Sequence, residues 1–325
     1  MAQAIFVWPR APSREMAHRE GAGDAEFKRI DIDALVMLQI MKHCKQHVPY
    51  QVTGVLLGLD IEDTLQVTHS FGHIQKGEEV RVNDEESEVY SYDMLRKLRD
   101  VNVDSNTIGW YQTTHLGQFL NDQMIECQYQ YQLSIPKSIL LVYDPLQSVI
   151  GKPAFKAVQL TADFMSKQTA ARELGQSATD FTSGDMFKEI PIAIHSPAII
   201  EAFLVDWALA DPISTTTQLE TLDVENQHFL ERNVQLLIGS LDELMNEQRK
   251  LRDFEVQAAR NQGQQPDRNR RDGRFRQVAA PRQLDTMILS QQIQQYCKQI
   301  NNFAGDSFGK IYLLSNKPSG SASAK

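Results

Sequence analysis

From Thr217 to Gln262 the chain contains no proline and is mostly polar, yet Leu230, Val234, Leu237, Leu241 and Leu244 recur at alternating spacings of four and three. Leu251 follows seven residues later, and Gln248 interrupts the series. An α-helix gathers such positions onto one narrow seam, the pattern of a coiled coil or helical bundle. Near the C-terminus Leu289, Ile293, Tyr296, Ile300 and Phe303 repeat the spacing. A helix with a narrow apolar seam cannot bury it alone, so this part of the chain must pair with itself or with other chains. Two arrangements satisfy the pattern: an intramolecular hairpin, or docking of both helices into a multi-subunit bundle. The seam residues are therefore the candidate partner-binding residues.

Ahead of Pro197 the pattern is different. "RIDIDALVMLQIMKHCKQH" reads as a helix capped by Asp33, with Leu35, Leu38 and Met41 at helical spacing and Val36 and Ile40 beside them. "YQVTGVLLGLD" is β-branched and apolar, a buried strand. "DTLQVTHSFGHI" alternates Leu65, Val67, His69 and Phe71 with polar neighbours, a half-buried strand paired with the one before. Glu78 to Glu88 is an acidic, solvated loop, and "EVYSYDMLRKLRDVN" an amphipathic helix with Val89, Met94, Leu95 and Leu98 inward. "NTIGWYQT", "KSILLVYDP", "AFKAVQLT" and "FKEIPIAIH" are further strands, and "AIIEAFLVDWALA" after Pro197 is a helix. Strands and helices mix without strict βαβ alternation, which predicts an α+β domain on a mixed sheet, flanked by helices and followed by C-terminal helical-bundle or coiled-coil segments.

Composition narrows the function classes. A formal net charge of −9 argues against a chain that binds nucleic acid through its overall field. The basic exception is local: residues 260–282 hold seven Arg and two Asp. Cys44, Cys127 and Cys297 are far apart and in no CxxC spacing, so neither a disulfide framework nor a thiolate zinc site is expected. No apolar stretch approaches the roughly 20 residues that span a bilayer. The N-terminal apolar run Ala4 to Trp8 stops at Pro9, too short for a signal-peptide core. The reading is a cytoplasmic protein without membrane contact.

The stretch "GWYQTTHLGQF", Gly109 to Phe119, is a strand ending in a loop where a metal enzyme would place its ligands. Two residues separated by one at a strand end point the same way. Here they are Gln112 and Thr114, and neither coordinates zinc well. His115 has the opposite parity. His43 and His47 are four apart on a helix, but Cys44 and Lys45 follow where the Glu of a His-Glu-x-x-His zinc motif would stand. No phosphate-cradling GxxxxGK[ST] occurs. His69, His73 and His115 with Asp122 form an alternative, displaced ligand set.

"QVTGVLLG", then "IGWYQTTH", "SILLVYDP" and "KAVQL" resemble the MPN domain, whose active members are the JAMM zinc isopeptidases that cleave ubiquitin-like conjugates. Those members carry a Glu on the early strand, then Gly-Trp-Tyr-His-x-His-Pro, a Ser and an Asp. The resemblance carries the Glu slot onto Gln51, the His slots onto Gln112 and Thr114, and the Pro slot onto His115. The Ser and Asp slots fall on Asp122 and Ile125, and a one-residue insertion brings Glu126 into the acid slot. The fold is implied; the activity is not. No catalytic residue, metal or cofactor is expected. The alternative reading is a zinc-dependent isopeptidase of the deubiquitinase type, or a subunit of a related proteasome-lid or signalosome assembly.

"GWYQTT", "ECQYQYQ" and "LDTMILSQQIQQYCKQINNF" are similar to the H-subunit family of eukaryotic translation initiation factor three over most of residues 30–315. That resemblance implies a non-catalytic scaffold subunit supporting recruitment of mRNA and initiator tRNA to the small ribosomal subunit. The implied partners are PCI and MPN subunits of the factor and the small ribosomal subunit. The expected layout is a disordered leader at 1–28, the MPN domain at 29–195, a helical region at 196–262, an Arg/Gln-rich linker at 263–282, an assembly helix at 283–314 and a disordered tail at 315–325. Arg268, Arg270, Arg271, Arg274 and Arg276 around Phe275 are the candidate contacts to mRNA or ribosomal RNA.

Overall fold

A computed structural model describes residues 28–48, 50–61, 63–73, 84–149, 154–173, 186–210, 227–262 and 283–315. The expected leader, linker and tail lie outside these residues, apart from Lys28 and Ser315 at their margins, and so do Arg268, Arg270, Arg271, Arg274 and Arg276. The chain divides into two compact units: Met1–Met165 with Asp185–Thr221, and Ser166–Gly184 with Leu222–Lys325.

The first unit is an eight-stranded mixed sheet with helices on its faces. Its strands are β1 (Arg29–Asp33), β2 (Thr53–Ile61), β3 (Thr64–Gly72), β4 (Thr107–Thr113), β5 (Ile139–Tyr143), β6 (Phe155–Leu160), β7 (Phe187–Ile190) and β8 (Ile192–His195), in the spatial order β7-β6-β5-β4-β2-β3-β1-β8. β2 runs antiparallel to β3 and β4, while β4 and β5 are parallel, as are β1 with β3 and β8. Helix α1 (Ala34–Gln46) begins where the sequence places it, with Asp33 accepting the Leu35 N–H at 3.3 Å. The residues before that cap form β1, which helical periodicity does not reveal. The buried face of α1 is Ala34, Val36, Ile40 and Cys44, and Leu35 is exposed.

β2 alternates between two cores. Leu56 joins Val36, Ile40, Leu65, Val67, Tyr111 and Leu141 on the α1 side. Val55 and Leu57 pack with Phe71 and with Leu95 of α2 (Asp84–Asp100) on the other. The α2 face departs from expectation at one residue. Met94, Leu95 and Leu98 pack inward, but Val89 is exposed and Tyr90 takes its place, because 90, 94 and 98 share one stripe at spacings of four. The acidic stretch expected as loop is helical from Asp84 onward. Chain order continues through α3 (Asp122–Ser134), the short α4 (Pro145–Val149), α5 (Ala162–Glu173) and α6 (Ala198–Ala210).

"FKEIPIAIH" is not one strand. β7 pairs with β6 at one edge of the sheet, and β8 pairs with β1 at the other, with only Pro191 between them. One residue spans at most about 7 Å between its neighbours' Cα atoms. The two edges therefore meet at Pro191, and the sheet curls until its edges are adjacent there. Proline suits the switch because it has no N–H to leave unpaired, while its carbonyl accepts the Ile30 N–H at 3.0 Å.

The second unit holds the long helices α7 (Gln227–Gln262) and α8 (Gln283–Ser315), which pack on each other. Lys250 of α7 interacts electrostatically with Asp285 near the start of α8, so the pair is antiparallel. The hairpin reading of the two seams is thus present in the chain. Its α7 side is shifted by one residue at two positions. Leu230, Leu237 and Leu244 are partly buried, but Asn233 and Ser240 are buried where Val234 and Leu241 were expected, and Val234 and Leu241 are exposed. On α8, Tyr296 is buried and Leu289, Ile293, Ile300 and Phe303 are half-buried.

Candidate functional site

The three slots of the MPN resemblance come together at one corner of the sheet. Thr53 of β2 pairs with Gln112 of β4. Beyond that pair the Val52 carbonyl accepts the Thr113 N–H at 2.9 Å, and the Val52 N–H donates to Thr113 Oγ1 at 2.7 Å. Gln51 precedes Val52 and Thr114 follows Thr113, each one residue beyond these bonds. The Thr114 N–H then donates to the Tyr143 carbonyl at the end of β5, 2.8 Å away.

β4 sends alternate side chains to opposite faces. Tyr111 and Thr113 face α1, whereas Trp110, Gln112 and Thr114 face α3. Gln112 is 2 % exposed and Thr114 1 %. Gln112 Oε1 and Thr114 Oγ1 are buried without a hydrogen-bond partner. The Gln112 and Thr114 side chains are therefore interior, whereas Gln51 is half-buried. His115 follows in a loop where Leu116 (φ 57°) and Gly117 (φ 75°) both adopt left-handed backbone, which is strained for leucine. Burial raises the carboxyl pKa of Asp144, next to Tyr143. The N–H groups of Leu146 and Gln147 and the nearby His115 oppose that shift.

Tyr111 Oη and His43 Nδ1 are 2.7 Å apart on the α1 face. Burial, with His47 adding repulsion, lowers the His43 pKa to about 4, so the ring is neutral and shares a neutral hydrogen bond with the Tyr111 phenol. His47 Nδ1 donates to the His43 carbonyl at 2.9 Å. His73, buried at the end of β3, is also held down to about 4, by burial first and then by His43. Among the described residues no group of three or more His, Cys, Asp or Glu side chains is arranged to hold a metal ion. The structure thus does not bring His69, His73, His115 and Asp122 together as a ligand set, and His43 and His47 stack edge to face with centroids 4.8 Å apart.

The residues that hold this corner are ones the sequence pattern did not single out. Trp110 Nε1 donates to Gln128 Oε1 at 2.8 Å, and Gln128 Nε2 donates to Gln132 Oε1 and to the Ser138 carbonyl. Gln132 in turn receives the Leu160 N–H at 2.9 Å and donates to the Leu160 carbonyl at 3.0 Å. Its side-chain amide pairs with β6 as a peptide group would, just past the end of the β5–β6 ladder at Leu140 and Val158. The available signal was "ECQYQYQ": glutamines four apart, flanked by aromatics, on a helix of low apolar contrast.

Residues 25–137 match the family described as JAB1/Mov34/MPN/PAD-1 ubiquitin protease, and residues 149–273 match the C-terminal region of eIF3h. The H subunit of eukaryotic translation initiation factor 3 from Dictyostelium discoideum is 35% identical over 300 residues, 88% of this chain and 93% of that protein. The corresponding protein of Arabidopsis thaliana is 33% identical, with 87% and 91% covered. This chain belongs to the eIF3h family of translation initiation factor 3 subunits. The eIF3h protein of Xenopus tropicalis, 29% identical, extends the likeness to 93% of this chain. The eIF3h resemblance of the sequence and its MPN fold are both borne out. The isopeptidase alternative is not favoured, since these relatives are translation factor subunits.

Proposed function

We propose that the chain is a non-catalytic scaffold subunit of eukaryotic translation initiation factor 3, acting in the cytoplasm to support recruitment of mRNA and initiator tRNA to the small ribosomal subunit. The observation that carries this reading is the extent of the likeness: relatives at 33–35% identity match sheet domain and C-terminal helices together, over 87–88% of the chain. The chemistry of the corner supports the non-catalytic part. A catalytic zinc takes about three His, Asp, Glu or Cys ligands and one water. Gln51, Gln112 and Thr114 offer amide and hydroxyl oxygens instead, two of them on fully buried side chains. These residues do not fit zinc, and no step of a zinc-assisted hydrolysis is assigned to them. No described helix is long and apolar enough to cross a membrane.

Assembly runs through the seam helices in this reading, with Leu230, Val234, Leu237, Leu241, Leu244, Leu289, Ile293, Tyr296, Ile300 and Phe303 divided between the hairpin and the other components of the factor. The Arg268–Arg276 segment is the candidate RNA contact, since clustered arginines neutralise phosphates with steep salt dependence. Affinity purification of the tagged full-length chain should recover the PCI and MPN subunits of the factor together with small ribosomal subunits, with less than about a tenth of an equivalent of zinc. Recovery of a proteolytic particle instead, or one tightly held zinc per chain, would overturn the reading. Crosslinking to RNA that persists after Arg-to-Ala changes across 268–276 would remove that segment from the proposal.

A further inference from the structure

Four buried side chains on one face of the sheet carry polar atoms without a protein partner: Gln112 Oε1, Thr114 Oγ1, Asp144 Oδ2 and both ring nitrogens of His73. The ladder gathers them. Gln112 and Thr114 share the α3 face of β4. Tyr143 turns into the core on the α1 side, so Asp144, one residue on, turns to the face of Gln112 and Thr114. Thr113 pairs with Tyr143, and the Thr114 N–H donates to the Tyr143 carbonyl at 2.8 Å. Thr114 and Asp144 are thus neighbours across the ends of two parallel strands. Neighbouring strands lie about 4.8 Å apart, and same-face residues of one strand about 7 Å apart, spans that a Gln side chain reaches across. His73 belongs to the Gln112 row. Its N–H donates to the Thr53 carbonyl at 2.9 Å, Thr53 pairs with Gln112, and its ring meets Phe71 edge to face.

The chemistry of these atoms selects a ligand. An amide carbonyl, a hydroxyl and a carboxylate are hard oxygens, which suit alkali and alkaline-earth cations rather than zinc. Charge then chooses among those. Asp144 Oδ1 accepts the Leu146 N–H at 3.0 Å, and the N–H groups of Leu146, Gln147 and Gly117 favour the charged carboxylate. Among the described residues no lysine or arginine acts on it, and the one positive influence is His115. A buried carboxylate calls for a paired charge or a coordinated cation. A monovalent cation balances it. A divalent one leaves a net positive charge in the interior, at a desolvation cost. A water molecule can donate to Gln112 and Asp144 but leaves the carboxylate charge uncompensated. We propose that Gln112 Oε1, Thr114 Oγ1 and Asp144 Oδ2 bind a monovalent alkali cation, sodium or potassium, which joins the ends of β4 and β5, with His73 bonded to one of its waters. The site is structural, and it stands whether or not the chain is a subunit of the factor. Through the Gly117 N–H on Asp144 it also fixes the left-handed turn at Leu116 and Gly117.

The test melts the full-length chain in sodium, potassium and choline chloride at equal ionic strength. The midpoint rises with sodium or potassium by about 3–6 °C for each tenfold in concentration above the dissociation constant, and choline, too large for the site, gives no such rise. Thr114→Val keeps the side-chain shape and removes one ligand oxygen, and Gln112→Met removes another; each loses the cation dependence. Crystals of the full-length chain grown with thallium(I), which replaces potassium, show an anomalous peak within bonding distance of the three oxygens. Equal midpoints in all three salts, or a cation dependence that both variants retain, would overturn the proposal. So would a zinc ion or an ordered water at that position in the thallium crystals. Where neither variant folds, the thallium peak in the wild-type chain decides alone.

Discussion

Gln132→Leu should destabilise the sheet unit although it introduces neither a charge nor a larger side chain. The glutamine amide satisfies both backbone groups of Leu160 and accepts from Gln128. Leucine has similar volume and better transfer free energy, so a reading based on hydrophobicity alone predicts stabilisation. The hydrogen-bond count predicts the opposite. Two buried backbone groups lose their partners, at about 1–3 kcal/mol each, and Gln128 Nε2 keeps only the Ser138 carbonyl. Leucine's apolar gain offsets about 1–2 kcal/mol of this, leaving a net loss of about 2–3 kcal/mol. Against a domain stability of about 5–15 kcal/mol that is a large fraction. Native-state hydrogen exchange reads the effect locally. The Leu160 amide should lose most of its protection, and amides across β5 and β6 should exchange roughly 30-fold or more faster, the factor for about 2 kcal/mol. Gln130→Leu on the exposed side of α3 is the control and should change exchange little. If Gln132→Leu leaves Leu160 as protected as Gln130→Leu does, the amide pair is not what joins α3 to β6.

The neutral histidines predict an acid limb. His43 and His73 stay unprotonated when folded down to about pH 4, while in the unfolded chain they titrate near 6.5. The unfolded state therefore binds more protons between these values, so stability holds above pH 6.5 and falls as pH drops towards 4. For the deeply buried His73 the limiting slope is about 1.4 kcal/mol per pH unit. Urea midpoints between pH 5 and 7 should show the fall, and His73→Phe should flatten it; an unchanged slope in that variant would remove His73 as a source. Gly109→Ala should lower stability by about 1–3 kcal/mol, because a Cβ there meets the Ile139 carbonyl across the ladder; thermal melts check this. Asn233→Leu should raise the melting temperature of the hairpin and give mixed association states by size-exclusion chromatography, since a buried polar residue at a seam position restricts register at the expense of stability. A less stable single species would show instead that Asn233 contributes stabilising bonds.

Much of the fold was legible because its signals are local. The Asp33 cap, the alternation in β3 and the apolar runs of β2 and β5 each depend on a few neighbouring residues. What was not legible depends on distant partners. β1 is five residues long, and only its parallel neighbours β3 and β8 make it a strand. "FKEIPIAIH" reads as one strand from either end, and only closure of the sheet makes Pro191 a switch between edges. The α7 seam shows the same limit. Spacing alone pairs Leu230 with Val234, but a helix with apolar residues at both 234 and 237 has two possible inner faces, and α8 selects the one containing Asn233 and Ser240.

The corner at Gln51, Gln112 and Thr114 shows why fold and chemistry separate so cleanly here. Its shape rests on residues outside the slots. Gly54 lets β2 approach Phe71 and Tyr111, Gly109 lets β4 meet Ile139, and Trp110 ties β4 to α3 through Gln128. None of these residues stands in a ligand slot of the MPN resemblance, so substitution in the slots should leave the strand register intact. Gln112 and Thr114 are buried and uncharged, and Gln51 is half-buried and uncharged. The unsatisfied Gln112 Oε1 and Thr114 Oγ1 are a modest loss of about 1–3 kcal/mol each, small beside the desolvation of carboxylates buried there without a cation. Restoring Glu at 51 and His at 112 and 114 therefore tests the shape directly. If packing alone preserves the corner, the triple variant should gain zinc binding measurable by metal analysis. Failure to bind zinc, with the fold intact by circular dichroism, would mean that the His115–Gly117 loop and the first turn of α3 have moved away from the ligand geometry.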